Sequence, residues 1–116
     1  PYDFNPSNYN PLAALFKKYI DFDRLKKTDK SKVFASATDC PTNRILVFNN
    51  TDLCEEALLA STGLPMFHQS VKWKETYLWD GRYVGNPTLE LLIYNCQAHD
   101  LLIVQVTPIM RKTVPK

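Results

Sequence analysis

The stretch Tyr77-Leu78-Trp79-Asp80-Gly81-Arg82-Tyr83-Val84-Gly85-Asn86-Pro87 constrains this chain more than any other. It reads as a strand that ends on an acid, a tight glycine turn, a second glycine and the start of a helix. A strand that delivers an Asp into a glycine-lined turn places it at a sheet edge or at a site. There the carboxylate serves as a general base, a metal ligand or a turn former. Asp-Gly is a common turn dipeptide, so local chemistry taken alone favours the turn former.

The rest of the chain sets the context. Its 116 residues suit one domain or a piece of one. A chain of that size buries roughly 65% of its unfolded surface, enough for one core. Hydrophobic residues at 45% against 22% charged describe a globular sequence. A net charge of +2 is too small to imply nucleic acid. No apolar run approaches membrane-spanning length, and the first residues lack the basic-then-apolar order of a secretory signal. The chain opens on Pro1 without an initiator Met, and is expected to be a segment of a longer polypeptide. Cys40, Cys54 and Cys96 are far apart and odd in number, which points to reduced, mostly buried thiols in a cytosolic setting.

Helix and strand signals interleave, so the class is α/β. Asn10-Pro11 is a cap followed by a first-turn proline, and Leu12, Leu15, Phe16 and Tyr19 follow at helical spacing. Asp21 restarts a short helical turn that carries Phe22 and Leu25. Lys26 to Lys32 is a polar connection. Val33–Thr38 and Arg44–Phe48 read as a hairpin around Asp39-Cys40-Pro41-Thr42-Asn43. Asp52 with Glu55 three residues on resembles a capping box, predicting a helix from Leu53 to about Thr62 that Gly63 and Pro65 stop. Val71–Lys74 and Tyr77–Trp79 read as two short strands. Asn86-Pro87 predicts another capped helix, well buried through Leu89, Leu92 and Ile93. Leu101–Val106 reads as a strand covered on both faces, before a loose basic tail from Arg111.

A search for chemistry excludes several classes. Gly63, Gly81 and Gly85 are too few and too scattered for a phosphate-cradling loop or a dinucleotide fingerprint. Ser61 has Gly63 two residues on but Leu59 two before, so it is no nucleophile elbow and reads as structural. His68 and His99 stand alone. No metal or cofactor is expected. Cys54 sits at a helix start, where the dipole can lower a thiol pKa, but a packed cysteine is the better reading.

Taken in order, Leu53–Pro65 and Tyr77–Pro87 resemble the C-terminal half of a bacterial patatin-like phospholipase domain. That family carries an Ala-Ser-x-x-Leu-Pro helix end, a hairpin, Trp-Asp-Gly-Gly/Ala and then Asn-Pro. The opening Asn-Pro segment, Asp21-Phe22-Asp23-Arg24-Leu25 and the first hairpin also resemble the bacterial members, so the similarity runs from the first residues to about Pro108. The resemblance implies a partial three-layer α/β sandwich, a mixed sheet with flanking helices, with the nucleophile-bearing half absent. It implies a lipid acyl hydrolase working through a Ser-Asp dyad on a lipid ester at a membrane surface, with Asp80 as general base. A positioned carboxylate can accept the proton of a serine hydroxyl, a poor nucleophile otherwise. Gly81 lets backbone pass close to the site, and Leu64 and Pro65 match a segment near the cleft.

Two departures follow. Arg82 stands where the family has Gly or Ala; a guanidinium beside Asp80 weakens it as a base, unless it points to solvent or greets an anionic head group. The serine elbow and the glycine-rich oxyanion loop are not among these residues, so the chain alone is expected to be inactive. Two rivals are a non-catalytic patatin-like module that binds lipid or protein, and a self-standing interaction domain. Strand edges left by the missing half predict oligomerisation or strand swapping. The expected setting is cytoplasmic or that of a delivered effector.

Overall fold

The computed structural model describes residues 2–85, 89–104 and 110. Its first elements form where the capping signals lie. Helix α1 (Pro11–Tyr19) starts at Asn10, whose Oδ1 accepts the Leu12 N–H at 3.0 Å. It ends where Ile20 turns extended. The Asp21 carboxylate accepts the Arg24 N–H at 2.9 Å and opens α2 (Phe22–Lys27). The chain then runs to Phe34 without regular structure. Asn50 ties this run down, its Oδ1 accepting from the Val33 N–H and its amide donating to the carbonyls of Leu25 and Ser31.

The strands β1 (Ala35–Asp39), β2 (Arg44–Phe48), β3 (Val71–Trp73) and β4 (Thr76–Asp80) make one sheet in the order β2-β1-β4-β3. Every pairing is antiparallel. The expected mixed sheet is therefore corrected to an antiparallel one among the described residues. Two hairpins lie side by side, joined through β1 and β4. Leu101–Val104, the first four residues of the expected doubly covered strand, has no regular structure and is exposed; Gln105 and Val106 lie outside the described residues. Apolar β-branched composition alone does not make a strand without a partner ladder. Both hairpin turns place a non-glycine residue at positive φ: Asn43 at 52° and Lys74 at 52°. Asn adopts this conformation readily, Lys does not. The Lys74 ammonium lies 4.2 Å from the centre of the Trp73 ring, an attraction that offsets part of the strain.

Helix α3 (Glu55–Ser61) covers one face of the sheet. The fully buried set is Ala37, Phe48, Leu53, Ala57, Ala60 and Leu78. Three of these six are alanines, which lets the helix approach β1 and β4 closely. Phe48 and Trp73 fill the rest of the layer, packed edge to face at 5.1 Å between centroids. The capping box expected from Asp52 and Glu55 does not form. The N-cap is Cys54, with no side-chain bond, and the helix begins two residues later than expected. Asn49 is the reason: its carbonyl accepts the N–H groups of Asp52 and Leu53, which closes a separate turn and drives Leu53 into the core. Helix α4 (Leu89–Asn95) forms, but holds no buried residue, and Ile93 and Tyr94 are exposed. The expected burial is overturned: among the described residues no other element packs closely on this helix. The Asn86-Pro87 cap and the tail from Arg111 lie outside the described residues.

Asp39 is the buried charge of the sheet, at 7% exposure. Its carboxylate accepts from the hydroxyls of Thr42 and Thr76, pinning the β1–β2 turn to β4. Those two bonds hold its pKa below the ordinary 3.8, against the opposing effect of burial. A folded-state pKa below the unfolded one means stability that is present in full above about pH 3.8 and lost as pH falls through the folded value. The thermal midpoint of the wild type should fall on acidification below that pH. Asp39→Asn should melt lower at neutral pH and show less of this acid dependence. Superimposable melting curves for the two proteins at neutral pH would contradict the pin.

Candidate functional site

Asp80 is the last residue of β4, and three backbone contacts fix it. Its N–H donates to the Gly63 carbonyl at 3.2 Å, its carbonyl accepts from Thr38 Oγ1 at 2.8 Å, and it pairs with Ala37 across the sheet. Strand alternation puts its side chain on the same face as Ala37 and Leu78, the face that α3 covers. The side chain is 15% exposed. It opens on a cleft of about 520 Å³ lined by Phe34, Ala35, Ser36, Ser61, Thr62, Leu64, Asp80 and Arg82. The acid thus lines an open concavity between the start of β1 and the end of α3.

Gly81 is buried and begins a 3-10 turn (Gly81–Tyr83). A Cβ on it would lie 2.7 Å from the Ser36 carbonyl oxygen, nearer than atoms can come, and closer still to Ser36 Oγ. Glycine is required here by close approach to β1, not by a positive φ. The Asp80 side chain also caps this turn, its Oδ1 accepting the Arg82 N–H at 3.0 Å. The turn-forming role expected of Asp-Gly is therefore real. The Arg82 Nε lies 3.5 Å from the other oxygen, Oδ2. One residue contacts both oxygens, once through backbone and once through its half-exposed side chain. A long, half-exposed pair of this kind contributes well under about 1 kcal/mol and yields readily to a competing ligand.

The other residues singled out from sequence divide. Leu64 and Arg82 line the cleft; Pro65 is half-buried beside it in sequence and is not part of the lining. Ser61 donates its hydroxyl to the Leu58 carbonyl at 2.8 Å, as a structural helix serine does, yet it stands in the wall of the same cleft. Ser36 and Ser61 were not legible as cleft residues, since the β1–β4 pairing brings Ser36 to Asp80 and the packing of α3, tied through Gly63, brings Ser61. Asp39 was read as part of a turn; the signal for more was Thr42, three residues on, positioned to return a hydroxyl. Cys54 is half-buried, in keeping with the packed reading: burial pushes that thiol up, outweighing the Ala57 N–H at the helix start, which lowers it, and Glu56 adds to the rise. Burial and then the Asp39 charge push Cys40 up as well. All three cysteines are free and half-buried. His68 is half-buried and His99 exposed, and neither lines the cleft.

The arrangement offers one carboxylate with a displaceable guanidinium, beside hydroxyls, in a cleft of small-molecule size. No protein-family model, no curated protein and no solved structure matches the chain. No helix among the described residues is long and apolar enough to cross a membrane.

Gly81→Ala should destabilise the chain by about 1–3 kcal/mol, because the methyl group meets backbone rather than a movable side chain. Gly85→Ala serves as the control, since a Cβ there meets only Ile45 Cδ1 at an ordinary 3.8 Å. Urea midpoints measure both; equal midpoints for the two variants would rule out the close-approach argument.

Proposed function

We propose that these residues form the base-bearing part of a patatin-like lipid acyl hydrolase. Asp80 accepts the proton of a serine hydroxyl that another part of the polypeptide supplies. The serine attacks the ester carbonyl of a lipid, the alcohol leaves, and water releases the acyl group from the serine. The observation that carries the reading is the placement of Asp80: a strand-end carboxylate on a backbone held by Gly63, mostly shielded and lining an open cleft. Leu64 in the cleft lining and the close packing of Gly81 on Ser36 agree with the motif resemblance at those positions. Among the described residues the outer edges of β2 and β3 pair with no further strand, which leaves a place for the remainder of such a domain or for a second copy.

A second reading has its own observation. Arg82 contacts both oxygens of Asp80, which suits a cleft that binds lipid or protein without hydrolysis. One experiment separates the two. Turnover of a short-chain nitrophenyl ester is measured for the polypeptide encoded by the whole gene, for Asp80→Ala and for Arg82→Gly. The hydrolase reading expects Asp80→Ala to lose about 100- to 10,000-fold in kcat, the usual worth of a positioned general base. It expects Arg82→Gly to retain or gain activity. Turnover that survives Asp80→Ala overturns the base assignment. A parent protein without turnover that gains none from Arg82→Gly leaves the binding module as the better reading.

A further inference from the structure

Asp80 and Arg82 are the two charged residues in the lining of the cleft, and they are unequally open. The Asp80 side chain is 15% exposed and the Arg82 side chain 49%. The carboxylate is also the more engaged partner. Its Oδ1 accepts the Arg82 N–H at 3.0 Å, and its Oδ2 meets the Arg82 Nε at 3.5 Å. The guanidinium has that one long contact and, among the described residues, makes no hydrogen bond. A ligand entering the cleft therefore meets the cation before the more shielded acid.

The hydroxyls of the lining divide in the same way. Ser61 donates to the Leu58 carbonyl at 2.8 Å and Thr62 to the same carbonyl at 3.1 Å, so their protons are spent at the end of α3. The Ser36 hydroxyl has no partner among the described residues and is free to donate. Its Oγ is the atom nearest to where a Gly81 Cβ would stand, which puts this hydroxyl beside the residue that precedes Arg82. Gly81 is buried against Ser36, and that contact fixes the Arg82 backbone relative to the hydroxyl. A planar fork of N–H groups and a free hydroxyl held near it match the three acceptor oxygens of a phosphate. Phe34 and Leu64 in the same lining supply apolar surface for a chain attached to such a group.

We propose that Arg82 and Ser36 form a phosphate subsite in the cleft, and that a phosphate group bound there draws the guanidinium off Asp80, leaving the carboxylate with its backbone contact alone. Arg82 is then a latch on the acid that the ligand itself opens. The subsite rests on the cleft of the reading above but not on hydrolysis, so it is measured as binding by the chain itself. Inorganic phosphate and the soluble dihexanoyl phosphatidic acid are titrated separately, with the Arg82 Nε–H and Asp80 side-chain carboxyl resonances followed by NMR. Both resonances should move together and saturate. Arg82→Gln should weaken phosphate by about ten-fold or more, and Ser36→Ala by about ten-fold, the worth of a hydrogen bond to a charged group. The half-exposed Arg82 side chain and its weak pair should leave the melting midpoint of Arg82→Gln unchanged. Asp80→Asn keeps the oxygen that accepts the Arg82 N–H and drops the charge, so it should tighten phosphate by about two- to five-fold. Tighter binding of the lipid than of inorganic phosphate upholds the subsite and assigns it to a headgroup, with Phe34 and Leu64 taking the chain; equal affinity upholds it and assigns it to the free ion. Four outcomes overturn the proposal: no saturable phosphate binding, an affinity indifferent to Arg82→Gln, an affinity not raised by Asp80→Asn, or an Asp80 resonance that stays fixed while phosphate saturates. A whole-gene polypeptide without ester turnover leaves the subsite standing, and a chain that takes no phosphate leaves the hydrolase reading standing, so the two fail separately.

Discussion

The pairing of β1 with β4 is the interaction on which the rest depends. It joins residues about forty positions apart, Ala37 to Asp80, Thr38 to Trp79 and Asp39 to Leu78. Without it the molecule is two separate hairpins, each too small to persist in water. The pairing also creates the core, because it brings Ala37 and Leu78 onto one face for α3 to cover. Beyond the ladder it is fastened at both ends. The Thr38 hydroxyl donates to the Asp80 carbonyl at one end, and the Asp39 carboxylate takes the Thr76 hydroxyl at the other. Gly81 then lies against Ser36, so the strand ends are held as tightly as the strands.

The same contact assembles the candidate site. The Asp80 carboxylate is placed by its strand, the cleft wall by the end of α3, and the two are linked directly by the bond from the Asp80 N–H to the Gly63 carbonyl. The carboxylate therefore has little freedom to swing. Chemistry at the site turns on its competition with Arg82, whose contact is long and half open to water. A ligand that makes shorter bonds to either partner can separate them at small cost. The alanine-rich packing beneath, with Ala37, Ala57 and Ala60 at the contact, keeps helix and sheet close enough for the cleft wall to be rigid.

Much of the local structure was legible because its causes are local. Asn10-Pro11 and Asp21 start helices through bonds that span two or three residues. The strand Arg44–Phe48 appears with the bounds its composition suggested, and the first hairpin closes where Asp39 to Asn43 supply turn residues. The failures have a common cause as well. Asp52 and Glu55 match a capping box in spacing, but Asn49 captures the nearby N–H groups first. Leu89, Leu92 and Ile93 match a buried helix face, and Leu101 to Val104 a buried strand, yet burial requires something to pack against. Apolar pattern records a capacity for burial, and the partner that realises it lies elsewhere in the chain or outside it.

The sequence by itself determined where helices begin, where the first hairpin turns and that an acid stands before Gly81, since each depends on bonds within a few residues. Only the tertiary structure decided that the sheet is antiparallel, that Asp80 shares a cleft with Ser36 and Ser61, and that Gly81 cannot be replaced without displacing β1. These are consequences of strand register across forty residues, and register is set by the fit of whole faces against one helix, which no short window of residues contains.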